Sequence, residues 1–423
     1  MSRLALGCIA DDITGASDLA ALVARSGAAV SLRIGLPAAD PDPTELAEVE
    51  VIALKIRSIP ADQAVAAAMA ARDWLIRAGA ARLYWKYCST FDSTAQGNIG
   101  PVAQALLAAG TDAGAGAHTL HAPGFPENGR RVFMGNLFVG RQPLAESPMR
   151  DHPLNPMRDS DLTRLLSAQL GQAVGLVDWP TIAAGPDAIA AAIGAGPAHL
   201  IADTIRDEDL AALAQAGAGL PLLCGGSAFA AQLPAVLRAR GELPQASPGN
   251  IPDLPGGPAL VLSGSCSAMT RRQVAAFAPL VPTLRLDPLR LAETGPAEAV
   301  AWVRAQTGTA LVHAAAQPDQ VAAAQDALGV ERAGNLVEEA LSAAAAAGRA
   351  RGVTRFVVAG GESSGAVVQA LGVSGLQIGA EIAPGVPWCV ARDREGPFAI
   401  TLKSGNFGAE DFFARALRLS GGL

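Results

Sequence analysis

The chain has 423 residues, with 32 lysines and arginines against 39 acidic residues and a formal net charge of −7. No basic run or stripe is present, which argues against nucleic acid as a partner. No apolar stretch reaches the length of a bilayer, which argues against a membrane. Five scattered cysteines form no CxxC pair and five histidines form no HxH or HxxxH pair, so neither a disulfide framework nor a zinc site is expected.

In chain order, Leu4 to Ala10 reads as a buried parallel strand. Residues 15 to 26 carry Ala16, Leu19, Ala20, Leu22 and Val23 at helical spacing. Strands are expected at Val30 to Ile34 and Val51 to Leu54, a helix over 62–78 and a strand over 82–85. This βαβ series implies a mostly parallel sheet. Further strands are expected at Gly175 to Val177, His199 to Ala202 and Pro221 to Cys224, with alanine-rich helices between them. The stretch from about 123 to 160 is rich in Pro, Arg and Asn and reads as irregular.

Residues 241–257 are crowded with proline and glycine and mark a domain boundary. Beyond them a second series begins, with strands over 259–263, 309–313, 355–359 and 398–402. Helices are expected over 268–277, 332–349, 364–371 and about 408–419. The expectation is an α/β chain of two domains, each a mostly parallel sheet flanked by helices. They would cover residues 1–245 and 258–423, with a linker at about 246–257. The N-terminus runs straight into a strand, so a cytoplasmic location is expected. The alanine-rich helices leave room for a homodimer face.

Several strand-to-helix loops concentrate polar groups, and in open parallel sheets ligands bind at the carboxyl ends of strands. In IADDITGASDLA (9–20) two adjacent carboxylates, Asp11 and Asp12, stand where the first strand ends. A carboxylate there can accept from a sugar hydroxyl, remove its proton or hold a metal; one of the pair can equally cap the helix. In LKIRSIP, Lys55 and Arg57 lie two apart, which on a strand puts them on one face. That pair suits a substrate carboxylate or is a solvated strand end. Lys86 to Pro101, KYCSTFDSTAQGNIGP, is longer and more polar than an ordinary connection. It offers Ser89, Asp92 and Asn98 as candidate contacts to a sugar or an anion. Asp12 is the first candidate for the group that orients and deprotonates an attacking hydroxyl, and Asp92 the second.

Three glycine-containing loops follow strands in the second half: SGSCS at 263–267, GGESSG at 360–365 and KSGNFG at 403–408. Each resembles a phosphate-sized backbone nest at a helix N-terminus. Glu362 is placed to meet a Mg²⁺ or a ribose hydroxyl. No GxxxxGK[ST] and no GxGxxG after a strand occurs, so neither a Walker loop nor a dinucleotide fold is supported.

Taken together, IADDITGASDLA, KYCSTFDSTAQGNIGP, GGESSGAVV and LKSGNFG resemble the four-carbon acid sugar kinases over nearly the whole chain. The stretches PGFPENGRRVFMGNLFVG and ESPMRDHPLNPMRDSDL, with CSTFDST, look most like the 3-oxo-tetronate kinase branch. The resemblance implies an acid-sugar-binding N-terminal domain, an ATP-binding C-terminal domain and closure of one on the other. It implies transfer of a phosphoryl group to the terminal hydroxyl of a 3-oxo-tetronate. ATP would be held by Ser265, Gly360, Gly361, Glu362, Ser363 and Gly405, with Mg²⁺ inferred from ATP chemistry because no ligand set is legible. A D-threonate or D-erythronate kinase, or a non-catalytic sugar-acid sensor keeping the fold, are the alternatives. Ser363 stands where Thr is more usual and Ile13 where Phe is; neither removes a needed polar group.

Overall fold

The structure, a computed structural model, describes residues 4–43, 46–110, 117–152, 155–245 and 253–422. The chain divides into two compact units, Met1–Gly249 and Asn250–Leu423. Residues 246–252 of the expected linker lie outside the described residues.

The first unit is built on a parallel sheet. Its strand order is Val30–Ile34, Val49–Ala53, Leu6–Ala10, Leu83–Lys86, Leu222–Gly225, Thr119–Ala122, His199–Ala202 and Gly175–Val177. The central strands are short and mostly apolar, as strands covered on both faces are. Leu6–Ala10 and Val49–Ala53 are buried throughout. Register pairs Ala10 with Ala53 and Lys86, and Lys86 with Gly225, so these strands end side by side. Helix Ile13–Arg25 starts where Asp12 accepts from the Gly15 amide, and it buries Ala16, Leu19, Ala20 and Val23.

Part of the stretch expected to be irregular forms regular structure. Arg130–Phe133, Asn136–Val139 and Gln142–Pro143 form a small antiparallel sheet. A distant partner accounts for it: the Asp203 carboxylate accepts from the amides of Met134 (2.8 Å), Gly135 (2.9 Å) and Trp179 (2.8 Å). Val132 and Thr204 also exchange a pair of backbone bonds at 2.8 Å.

The second unit has strand order Thr283–Arg285, Ala310–His313, Ala259–Ser263, Arg355–Ala359, Gly396–Lys403, Val386–Asp393 and Gly375–Ala383. The first five are parallel and the last two join as an antiparallel meander. That meander departs from the strand-helix alternation read in the sequence. Ser263 pairs with both His313 and Ala359, and Ala359 with Lys403, so three glycine-containing loops leave one edge of this sheet. Both units are α/β, with mostly parallel sheets flanked by helices. Among the described residues no helix is long and apolar enough to cross a membrane.

Candidate active site

In the first unit the loops after Ala10, Ala53 and Lys86 bring their charges together. Arg57 is the hub. Its Nε and Nη2 donate to the two oxygens of Asp11 at 2.6 and 2.9 Å, and Nη2 also meets Asp12 Oδ1 at 2.8 Å. Its Nη1 lies 3.5 Å from Asp92 Oδ2. Forked geometry of this kind is what arginine offers carboxylates and lysine does not. Strand Val49–Ala53 stops before Lys55, so the alternation that would align Lys55 with Arg57 no longer applies. Lys55 is exposed while Arg57 turns inward. The shared strand face expected of the two residues is therefore not formed.

Asp11 is buried, and burial pushes its carboxyl above the usual range although Arg57 pulls the other way. For Asp12 burial also raises the pKa, but Arg57, Lys86, the Thr14 hydroxyl and the Gly15 amide outweigh it, and the carboxyl lies below the usual range. Asp12 Oδ1 accepts from Gly15 N at 2.8 Å and Oδ2 from Thr14 Oγ1 at 2.6 Å. Gly15 is needed here. A Cβ would fall 2.3 Å from Asp12 Oδ1 and 2.9 Å from Lys86 Nζ. Lys86 is buried, donates to Tyr87 O at 2.7 Å and lends positive charge to Asp11, Asp12 and Asp18. Asp18, buried in the helix that Asp12 caps, accepts from Ser227 Oγ, and burial lifts it to about 7.

The loop from Tyr87 to Asn98 holds Asp92 in an unusual way. Phe91 has φ 62° and Asp92 φ 50°. Left-handed backbone costs a non-glycine residue about 1–2 kcal/mol and is rare for a bulky aromatic. Burial of Phe91 against Tyr87, with ring centroids 5.7 Å apart, offsets that strain. The result is a carboxylate 6% exposed whose Oδ1 has no hydrogen-bond partner. Asn98 lies at the loop's far end. Its amide donates to the carbonyls of Ile56 (2.7 Å), Arg57 (3.3 Å) and Ile59 (3.1 Å), pinning the backbone that carries Arg57. Ser89 is half-buried in the same loop. An open depression lined by Ala95, Asp159, Thr163 and Arg164 contains none of these carboxylates.

In the second unit the three glycine loops touch one another. A Cβ on Gly264 would lie 2.0 Å from Ser363 Oγ, and one on Gly405 2.7 Å from Ser265 Oγ. Gly360 has φ 124° and faces Ser265 N and Ser363 Oγ, each 3.2 Å from where its Cβ would be. Helix Gly361–Ala370 begins directly after Gly360 and places Glu362 in its first turn. The amides of Gly361, Glu362 and Ser363 precede the first intrahelical bond, Ser364 N to Gly360 O. The buried hydroxyls of Ser263 and Ser364 have no hydrogen-bond partner. Gly405 O receives Ser267 Oγ and Thr270 Oγ1 at 2.7 Å and Lys403 Nζ at 2.9 Å. Lys403 is wholly buried, and burial lowers its ammonium to about 7. Backbone donors at a helix start and glycines that admit close approach suit phosphate groups.

Residues 6–233 match the model of a sugar-binding N-terminal domain and residues 260–413 that of a nucleotide-binding C-terminal domain. The 3-oxo-tetronate kinase of Burkholderia multivorans is 50% identical over 426 residues, covering 99% of this chain and 97% of the relative. The chain belongs to the four-carbon acid sugar kinase family, in the branch of the 3-oxo-tetronate kinases. A second member, from Salmonella typhimurium LT2, is 41% identical over 98% of this chain and 99% of its own. The fold of this kinase family is also that of a solved Salmonella typhimurium LT2 protein, with TM-score 0.84, 40% identity and coverage of 99% and 100% of the two chains. A Haemophilus influenzae structure matches at TM-score 0.74 and 38% identity, covering 98% and 100%.

Within this kinase fold, Lys86, Asp18, Ser227 and Lys403 join the two clusters without having been singled out from sequence. Asp18 carried one signal, a carboxylate among the apolar positions of a helix. Ser227, far along the chain, carried none.

Proposed function

We propose that this chain transfers the γ-phosphoryl group of ATP to the terminal hydroxyl of a 3-oxo-tetronate, giving 3-oxo-tetronate 4-phosphate. The observation that carries the reading is the buried carboxylate cluster around Arg57, placed at parallel strand ends in the unit that matches a sugar-binding domain. Residues 1–245 would form the acid-sugar domain and 258–423 the ATP domain.

Phosphoryl transfer asks for positioning, charge neutralisation and a group that orients the nucleophile. Asp92 suits the last role better than Asp12. Asp12 already receives Gly15 N, Thr14 Oγ1 and Arg57, whereas Asp92 Oδ1 has no donor. Asp92 would accept the terminal hydroxyl, and Asp11 and Asp12 would fix the guanidinium. Lys55 and Ser89 stay as candidate contacts for the substrate carboxylate and hydroxyls, and Asn98 supports Arg57. In the second unit Ser265, Gly360, Gly361, Ser363 and Gly405 would cradle the phosphates of ATP, in keeping with the crowding at those glycines.

Mg²⁺ would neutralise phosphate charge when bound. Among the described residues no group of three His, Cys, Asp or Glu side chains gathers to hold a metal. Glu362, in the first turn of helix Gly361–Ala370, would be the protein carboxylate that meets the ion, with phosphates and water completing its shell.

A coupled assay of ADP release, with ATP and a panel of 3-oxo-tetronates, D-threonate and D-erythronate, tests the reading. Turnover highest with a 3-oxo-tetronate is expected. Faster turnover of threonate or erythronate would assign the chain to that substrate. Absence of acid-dependent ADP release would leave a sugar-acid sensor.

A further inference from the structure

Asp92 Oδ1 is a buried carboxylate oxygen without a donor, and the group that faces it comes from another segment. His152 Nδ1 lies 3.6 Å from Asp92 Oδ1. That nitrogen does not donate to the carboxylate, because it accepts the Asn155 amide at 3.2 Å. In the neutral imidazole the proton therefore sits on Nε2. The His152 amide donates to Met149 O at 3.2 Å, and the same carbonyl accepts from Met157 N at 3.0 Å. Met157 is buried in the core of the unit, and Met149 packs against that core. The imidazole is about one-third exposed and the carboxylate is nearly covered. The imidazole and an unfilled oxygen acceptor thus stand 3.6 Å apart, and Nε2 is the donor of the neutral ring.

We propose that His152 and Asp92 form a donor–acceptor pair that reads the adjacent carbonyl and hydroxyl of an α-hydroxy ketone. His152 Nε2–H takes the carbonyl oxygen, and Asp92 Oδ1 takes the terminal hydroxyl. This rests on the proposed kinase function and deepens it, making His152 a specificity-determining residue. A ketone oxygen only accepts, so it pairs with His152 and leaves Asp92 to the terminal hydroxyl. A secondary alcohol at that carbon carries a proton of its own and competes for Asp92 Oδ1, turning the reacting hydroxyl away. A substrate set apart by one oxidation level is then sorted by which of two neighbouring protein atoms already holds a proton. Sites that hydrogen-bond a distinguishing group discriminate in this way.

The test compares His152→Leu and His152→Gln with the unaltered enzyme, using ATP with a 3-oxo-tetronate, D-threonate and D-erythronate. Calorimetry replaces turnover where a rate is too slow to read. His152→Leu should lose about tenfold in kcat/KM for the ketone, the loss of one hydrogen bond in a partly covered site. It should stay within about twofold for the 3-hydroxy acids, so that the preference collapses. His152→Gln, whose carboxamide nitrogen reaches the place of Nε2, should recover most of the ketone activity. KM for ATP should not move. An equal loss on ketone and alcohols, or failure of glutamine to do better than leucine, would overturn the assignment while leaving the kinase reading intact. No turnover of any 3-oxo-tetronate by the unaltered enzyme would overturn the functional reading, and this inference with it.

Discussion

On the proposed reading, the two clusters at strand ends would solve different recognition problems with different materials. In the first unit the work falls to side chains: Asp11, Asp12, Asp92, Arg57 and Lys86 are held within a few ångströms by fixed loops. In the second it falls to backbone, with Gly264, Gly360 and Gly405 letting three loops approach and a helix start presenting its amides. A small acid sugar differs from its relatives by one carbon's configuration or oxidation level, so its site must place individual donors and acceptors. A triphosphate is large, symmetrical in its oxygens and strongly charged, so amides and a helix end suffice. Substitutions in the first cluster should therefore alter turnover steeply. Those in the second should alter nucleotide affinity by smaller factors.

The largest effect separates the two aspartates. Asp92→Asn should lower kcat about 10³-fold, within the range expected for loss of a general base, with KM for ATP unchanged. Asp12→Asn should cost about tenfold, because the amide oxygen can still accept from Gly15 N in the place of Oδ1, while the amide NH2 in the place of Oδ2 donates to the Thr14 hydroxyl. Steady-state kinetics on the two variants decides. If Asp12→Asn is the more severe, the hydroxyl is activated at Asp12, and the unpaired oxygen of Asp92 serves only the loop.

How much of this was legible follows the same division. Adjacent aspartates at the end of an apolar strand, and a loop too long and polar for its place, point to the first cluster without any structure. The glycine-containing turns point to the second. The hub was harder to see. A two-residue spacing puts Arg57 on one strand face with Lys55, but the strand ends at Ala53 and the chain turns, which no such periodicity reports. Asn98 reads as a sugar contact by type, yet three carbonyls of a segment about forty residues away absorb its amide. The sheet inside 123–160 depends on Asp203, 68 and 69 residues beyond the amides it holds. The strands Gly375–Ala383 and Val386–Asp393 escape because glycine and proline interrupt them and ladder pairing sustains them. Local preference reached the elements whose causes are local, and long-range pairing set the others.

A second test moves to the backbone cluster. Gly360→Ala must keep φ near 124° with a Cβ 3.2 Å from both Ser265 N and Ser363 Oγ. Strain of about 1–3 kcal/mol, for a side chain in an extended positive-φ region that favours glycine, is expected to displace the turn rather than unfold the unit. KM for ATP should rise about tenfold while KM for the acid sugar stays unchanged. ATP binding measured by calorimetry at unaltered affinity would place the nucleotide away from this turn and end the contrast between the units.

The smallest effect concerns the charge at the base of the second cluster. Lys403 is buried and its ammonium is lowered from 10.5 to about 7, with burial as the cause. Three oxygens nevertheless surround it: Ser404 O and Gly405 O at 2.9 Å and Thr270 Oγ1 at 3.3 Å. A folded-state pKa below the unfolded one has a definite sign. Above about pH 10.5 both states are neutral at this residue and nothing is lost. As pH falls towards about 7 the unfolded chain takes up a proton that the folded chain resists, so stability declines across that window and levels off below it. Lys403→Met removes this component. The stability of the native protein relative to the variant should therefore rise by about 1–2 kcal/mol between pH 7.5 and 9.5, read from urea midpoints. The figure is kept well below the full shift because the three oxygens favour the charged form. A difference that stays flat across that range would mean that those oxygens outweigh burial and the ammonium remains charged. Lys403 would then hold its loop as Lys86 holds the carboxylates of the first unit, and the backbone cluster would contain a fixed charge after all.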